Sequence, residues 1–307
     1  RLPMFYDSNI APSTTTRTYD VTTLTGATES SFTVPFYTSR INTNTGPILT
    51  GVSDVNSWYN SFVLTLRKRM SAGVEFTTNY TLARATDCGQ VPGQFGTFNG
   101  TDSPIDPYNR KLECATSDLD QHHRFSGNIV WIPQFTKKIA NPVAKYIADG
   151  WAFSSIVTAG TGQPVTGTIS GNPAGAVAGG PTGGTVNNSG TALGGRPPQI
   201  PRNSYRLPGT WLVDFRIGRE FKFAEKVRLV LNGEAFNLFN KTNIYSVNTQ
   251  QYTYTASTAT GTPSASTPCA GHTNNCLVPV ASFLTPSATN NNLVGARQLQ
   301  ISGRIYF

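Results

Sequence analysis

Few residues of this sequence have the types and spacing that chemistry requires, and they form no catalytic set. No nucleophile, base and acid occur together in a recognisable arrangement. His122 and His123 are adjacent, and neighbouring side chains of a strand point to opposite faces, so the two do not chelate one ion together. We therefore predict no enzyme, no cofactor and no metal site. Four acids are interpreted as loop residues, with calcium ligands as the alternative: Asp102, Asp106, Asp118 and Asp120.

The four cysteines fall into two local pairs, Cys88 with Cys114 and Cys269 with Cys276. Both pairs lie in polar segments rich in Gly, Pro and Asn, which favours loop disulfides in an oxidising compartment. The spacing Cys269-x2-His272-x3-Cys276 also resembles half of a zinc site, so zinc stays an alternative. Such a site needs further ligands, and the chain contains only 3 histidines.

The composition is that of β structure with long polar connections. Charged residues are only 13% of the 307, and Gly, Thr, Ser and Asn are abundant. No run of 18 apolar residues exists, so no transmembrane helix is predicted. The net charge of +8 raises nucleic acid as a partner, but basic residues cluster only at 67–69 and 137–138. Without a recognition motif, we predict no nucleic acid as partner.

The elements that must position any functional residue are strands with two different faces. In residues 297–307 every second residue is apolar or small, and all but one of the interleaved residues are polar. The length also suits the roughly 9–11 residues of a tilted membrane-crossing strand. Seven segments of this kind are predicted: 58–70, 74–84, 122–132, 150–160, 210–219, 226–236 and 297–307.

The lengths of the connections indicate a membrane protein. After the first strand they run short, long, medium, long, short and long, and in an antiparallel meander alternate connections lie at opposite ends. All the long ones, with both cysteine pairs, then lie at one end, as in bacterial outer-membrane barrels. The tryptophans fall near strand ends, where such rings prefer the membrane boundary. The prediction is an all-β, antiparallel transmembrane barrel meander in the Gram-negative outer membrane, with long extracellular loops and short periplasmic turns.

One face of these strands is predicted to line the lumen of the barrel. Two interpretations of its polar residues stay open: a wall that satisfies itself by cross-strand ion pairs, or contact with an interior plug or a passing solute. The set consists of Arg67, Glu75, Asn79, Asp214, Arg216, Arg228, Asn232, Glu234 and Arg304.

Several segments resemble the TonB-dependent outer-membrane receptors, in particular the Oar-like subgroup whose members often carry an N-terminal carboxypeptidase-regulatory-like domain. Residues 229–240, Leu-Val-Leu-Asn-Gly-Glu-Ala-Phe-Asn-Leu-Phe-Asn, resemble the family's penultimate-strand segment. Residues 120–125, Asp-Gln-His-His-Arg-Phe, resemble a strand start, and residues 162–166, Gly-Gln-Pro-Val-Thr, a strand exit. The ending at 297–307 resembles the closing strand. The resemblance covers residues 58–307 and extends to 1–10.

The resemblance implies a 22-stranded barrel around an N-terminal plug, of which residues 1–307 are the C-terminal portion. The chain opens on Arg1, without a signal peptide, so we expect a longer precursor. Implied partners are the TonB complex, outer-membrane lipid, the barrel-insertion machinery and a nutrient: a siderophore, cobalamin, oligosaccharide or peptide. The insertion signal is assigned to Ile301, Ile305 and Phe307, because Gly303 stands where a hydrophobe is usual.

Two other classes of protein remain as alternatives. A secreted or surface structural β protein, such as an adhesin, surface-layer or fibre subunit stabilised by loop disulfides, is the first. A passive porin is the second, although a porin does not need the transporter-like segment at 229–240.

Overall fold

The computed structural model describes residues 2–89, 104–134, 138–171, 173, 186–188, 195–223, 227–289 and 295–307. It is dominated by one antiparallel sheet whose seven long strands are neighbours both in sequence and in space. We call it the main sheet. Its strands are β5 (Ser57–Ser71), β6 (Val74–Cys88), β8 (His123–Trp131), β9 (Trp151–Gly160), β13 (Thr210–Lys222), β14 (Arg228–Phe236) and β19 (Gln298–Tyr306). A short strand β7 (Cys114–Thr116) extends β6 on the loop side.

All seven predicted segments are strands of this sheet, and the all-β class is confirmed. Within the described residues β5 and β19 are its edges, so the sheet is open there. β5 and β6 are joined by a tight turn in which Ala72 and Gly73 have φ of 51° and 79°. A Cβ on Gly73 would lie 2.0 Å from the carbonyl oxygen of Ile132, so only glycine fits this turn.

The register places the apolar and the polar residues of the main sheet on opposite faces. Directly paired residues share a face. One continuous row across five strands is Trp131, Phe153, Ile217, Gly233 and Ile301. The next row, on the opposite face, is Val130, Ser154, Arg216, Glu234 and Gln300. We call these the apolar face and the polar face.

The connections at the long-loop end fold together into what we call the loop domain. Five strands, two from residues 2–56 and three from two of the connections, form its central sheet, in the order β11-β16-β17-β2-β3. These are β2 (Thr16–Thr22), β3 (Thr28–Pro35), β11 (Thr168–Ser170), β16 (Gln250–Thr255) and β17 (Asn275–Pro279). Three two-stranded pairs join β1 (Leu2–Asp7) with β4 (Leu49–Val55), β10 (Pro164–Val165) with β12 (Tyr205–Arg206), and β15 (Ile244–Val247) with β18 (Pro286–Thr289).

The buried core of the described residues lies in the loop domain rather than on the main sheet. Its largest cluster contains Tyr19, Val34, Ile169, Val186 and Leu277, which come from the N-terminal segment and two connections. By contrast, Leu231 and Ile305 on the apolar face are 43% and 59% exposed. No apolar-face side chain is among the buried residues of the described part of the chain. The apolar face therefore needs an apolar environment that the loop domain does not supply.

The described parts of residues 8–56 and of the long connections thus contain strands of their own, where the composition predicts only long polar connections. Their strands are short, and two of the pairings that hold them, β11 with β16 and β17 with β2, are parallel. Strand β1, near the start of the chain, pairs with β4 outside the main sheet. Asp102 and Lys137 lie outside the described residues.

The opposite end of the main sheet has short connections and little structure. The medium connection contains the helix α1 (Pro142–Ala148), which Asn141 caps by accepting from the backbone of Val143 and Ala144. A single 3-10 turn, Arg110–Glu113, lies in the loop domain. Among the described residues no helix has the length and apolarity needed to cross a membrane.

Candidate functional site: the polar face and the loop domain

Cross-strand contacts connect the polar face over β13, β14 and β19. Arg216 lies 3.4 Å from Glu234, its direct partner in the register, and donates to the Asn232 side chain at 3.3 Å. Asn232 in turn donates to Ser302 at 3.3 Å. On this part of the face the polar side chains satisfy one another by cross-strand ion pairs and hydrogen bonds.

Every residue of the predicted polar set lies on the polar face by register. On β5 and β6 the pattern of partners differs from that on β13 and β14. Arg67 pairs with Thr77 and Glu75 with Val130, so neither has an opposite charge directly across from it. Contact of these two with a plug or a solute stays a prediction.

The asparagines of segment 229–240 hold the end of β14 in place. Asn237, at φ 50°, donates to the carbonyls of Lys241 and Gly295, while its backbone N–H donates to Asp214 at 2.8 Å. Asn240 accepts from the backbone N–H of Arg297 at 3.1 Å. The segment thereby fastens β14 to β13 and to the start of β19. The asparagines of this segment are therefore explained by the hydrogen bonds that connect the strands.

Arg219 is a charged residue of the apolar face that the sequence reasoning missed. It lies on the apolar face, paired with Trp151 on β9 and Leu231 on β14. Its guanidinium lies 5.0 Å from the Trp151 ring and 4.6 Å from the Phe221 ring, and it donates to the carbonyl of Tyr146. A cation held among aromatic rings near a short-connection end is typical of a membrane boundary. The aromatic residues in phase with it were the available signal.

Buried ion pairs connect the loop domain to the end of β6. Arg202, only 2% exposed, pairs with Asp87 of β6, and Asp118 lies 3.5 Å from the same guanidinium. Arg196 pairs with Glu113 at 3.0 Å, again with both side chains buried. The partners are far apart in sequence, so no linear motif reveals them.

Of the four loop acids, the three that the structure describes, Asp106, Asp118 and Asp120, are bound by the protein itself, which argues against the calcium alternative. Asp120 accepts from the Ala85 backbone, from Arg206 and from His122. Burial raises the pKa of Asp120, but these donors outweigh it and hold the pKa below the ordinary value. His123 instead contacts the Tyr80 hydroxyl at 2.7 Å. Within the described residues no group of three or more potential ligands could hold a metal ion.

Both predicted disulfides are present. Cys88–Cys114 joins the end of β6 to β7, and Cys269–Cys276 closes a small loop that packs on β2. The zinc alternative is wrong, because the two sulfurs are bonded to each other. His272 lies 3.0 Å from Asp20 and 2.8 Å from the carbonyl of Gly26.

Removing the first disulfide is expected to destabilise the loop domain more than removing the second. The bond Cys88–Cys114 spans 26 residues and Cys269–Cys276 spans 7, which correspond to about 3.5 and about 2.5 kcal/mol of loop-closure entropy. Paired Cys→Ala variants, compared by thermal unfolding of the intact protein in detergent, measure the difference. Equal midpoints for the two variants would contradict it.

His272 lies between two acceptors. One ring nitrogen faces the Asp20 carboxylate and the other faces the Gly26 carbonyl, an arrangement that favours the doubly protonated ring. Asp20 also accepts from Ser31 at 2.7 Å and from Asn274 at 3.0 Å. The bond to Asp20 raises the pKa of His272 above 6.5 despite burial. Burial raises the pKa of Asp20, but its hydrogen bonds outweigh that and lower it below 3.8.

The loop domain is therefore expected to be most stable in mildly acidic solution. The His272 contribution is complete below its ordinary pKa of 6.5 and is lost as pH rises through the raised value. The Asp20 contribution is present above its ordinary pKa of 3.8 and is lost as pH falls through the lowered value. The thermal unfolding midpoint should decrease as the pH is raised from about 6 to about 9. His272→Gln should make the midpoint less dependent on pH over this range. An unchanged slope in His272→Gln would refute the assignment.

Comparison with known proteins was informative at the level of the family. A family model described as an outer membrane beta barrel domain matches residues 1–270. The match includes six strands of the main sheet and most of the loop domain. No curated protein matches the chain.

Proposed function

The chain belongs to the outer membrane beta barrel domain family, and so to the Gram-negative outer membrane, and on that premise we propose that it is part of a TonB-dependent active transporter. Such a protein binds a scarce nutrient at the cell surface and imports it with energy from the inner membrane. A soluble secreted subunit does not fit this location.

The loop domain is the observation that carries the proposal. A passive pore needs its connections only to close the wall. Here residues 2–56 and two connections build a sheet with its own core, and two disulfides and buried ion pairs hold the loop domain further. An ordered surface of this kind at the mouth of a barrel suits specific capture of a ligand, because ordered sites lose less entropy on binding. The similarity of residues 229–240 to the receptor segment supports the same proposal.

The polar face supports a transport path through the interior of the barrel. With lipid on the apolar face, the charged and amide side chains meet water, as in other barrels with a polar interior. Arg67 and Glu75, which have no opposite charge directly across from them on this face, would then contact a plug or a solute.

Energy-dependent uptake tests the proposal. Wild-type and deletion strains are grown in defined medium, and loss of each nutrient from the medium is followed with and without a protonophore. We expect at least one nutrient whose uptake needs both the protein and the proton gradient. Uptake that needs the protein but not the gradient identifies a passive pore. Failure of the TonB periplasmic domain to bind the intact protein also contradicts the proposal.

A further inference from the structure

A cavity of about 540 Å³ lies within the loop domain, between β3 and the connection that carries the 3-10 turn. Its size is within the roughly 300–1,000 Å³ that small-molecule sites occupy. Residues of the N-terminal segment and of two connections line it, among them Phe32, Tyr37, Ile105, Asp106, Tyr108 and Asn187.

Buried hydrogen bonds join the walls of this cavity to one another. Tyr37 donates from its hydroxyl to Asp106 at 2.7 Å and from its backbone to the Asn187 carbonyl at 3.0 Å. The Asn187 side chain donates to the carbonyl of Ile105 at 2.5 Å. The Tyr108 hydroxyl donates to the carbonyl of Ile10 at 2.6 Å. Walls fixed in this way are formed before a ligand arrives, which reduces the entropy lost on binding.

The lining combines exposed ring faces with side-chain amides. Tyr108 packs one face on Tyr37, with ring centroids 5.9 Å apart, and is itself 53% exposed. Phe32 and three prolines add further flat apolar surface, and Asn109 and Gln199 are exposed amides at the edge. Such amides can donate and accept at once, which suits a ligand with many hydroxyl groups.

The charge of the lining excludes most anions. Its one charged residue is Asp106, whose Oδ1 already accepts from Tyr37 and from the backbone of Tyr108 and Asn109. None of the described lining residues carries a positive charge. An anionic ferric chelate, or a short peptide with its free carboxylate, would lose water without gaining a counter-charge.

We propose that this cavity is a binding site for a neutral oligosaccharide, with a sugar ring stacked on Tyr108 and its hydroxyls bonded to Asn109 and Gln199. The apolar C–H face of a sugar ring matches the exposed tyrosine ring, and the hydroxyls around the ring match the amides. This inference rests on the proposed transport function and gives it a substrate class.

Direct binding by the intact protein in detergent tests the inference. The protein is screened on an array of neutral glycans, and hits are titrated calorimetrically beside ferric citrate, cyanocobalamin and a hexapeptide. We expect a neutral glycan to bind with a Kd below about 1 mM. Tyr108→Ala should weaken that binding by at least about tenfold, and Asn109→Ala or Gln199→Ala by several-fold.

Tyr245→Ala is the matched control, because Tyr245 is a similarly exposed tyrosine of the loop domain that lines a different cavity. Its affinity should equal that of the wild type. Since Tyr108→Ala also removes a hydrogen bond, Tyr108→Phe, which keeps the ring, should bind nearly normally. No binding across the array, binding only of a chelate or peptide, or glycan binding insensitive to the cavity variants overturns the inference. None of these results touches the uptake test, which does not depend on the ligand class.

Discussion

Leu64→Arg is expected to abolish assembly of the protein in the membrane, whereas Val63→Arg one residue away is expected to be tolerated. Both side chains lie at the middle of β5 and are almost equally exposed, at 56% and 57%. The register places Leu64 opposite Tyr80 on the apolar face and Val63 opposite Thr81 on the polar face. An arginine facing lipid at mid-depth costs about 2–4 kcal/mol, while one facing water in a lumen costs little.

Folding into lipid vesicles measures this difference. The intact protein is refolded from urea, and the folded fraction is followed by its altered electrophoretic mobility. Leu64→Arg should shift the urea midpoint strongly or prevent folding, and Val63→Arg should resemble the wild type. Leu64→Lys separates charge from the size of the guanidinium. Equal effects at the two positions would show that the faces do not meet different solvents.

Arg202→Met is expected to be the most damaging single change in the loop domain. It leaves the Asp87 carboxylate, 1% exposed, without the guanidinium that lies against it. Breaking a buried pair from one side costs about 3–5 kcal/mol, because an uncompensated charge stays out of water. The loss should loosen the attachment of the 195–207 segment to the end of β6 and open the loop domain to proteases.

Two controls define the cause. Arg228→Met removes a pair with Glu220 whose side chains are 52% and 34% exposed, so it should cost at most about 1 kcal/mol. The double change Arg202→Met with Asp87→Leu removes both charges and should recover most of the lost stability. Limited proteolysis and thermal unfolding give the readouts. A double variant as unstable as Arg202→Met would mean that the charges are not the reason.

The sequence by itself was enough to predict the main sheet. Side chains along a strand alternate with a period of two. Phe62, Leu64 and Leu66 can therefore be placed on one face before their partner strands are known. The lengths of the connections then place the long ones at one end, because antiparallel neighbours alternate in direction. The two disulfides followed from local pairing of cysteines in polar segments, and the structure contains both.

The tertiary structure alone decided the loop domain. Its strands are at most 8 residues long, and Tyr19, Ile169 and Leu277 become one core only after the N-terminal segment meets two connections. The same is true of Arg202 with Asp87, and of the cavity beside Asp106, whose residues are distant in sequence. The environment of each face of a strand can be predicted from the strand's own sequence, because all side chains of one face meet the same solvent. A buried pair between connections has no such repeat, and its energy depends on partners that only the folded chain brings together.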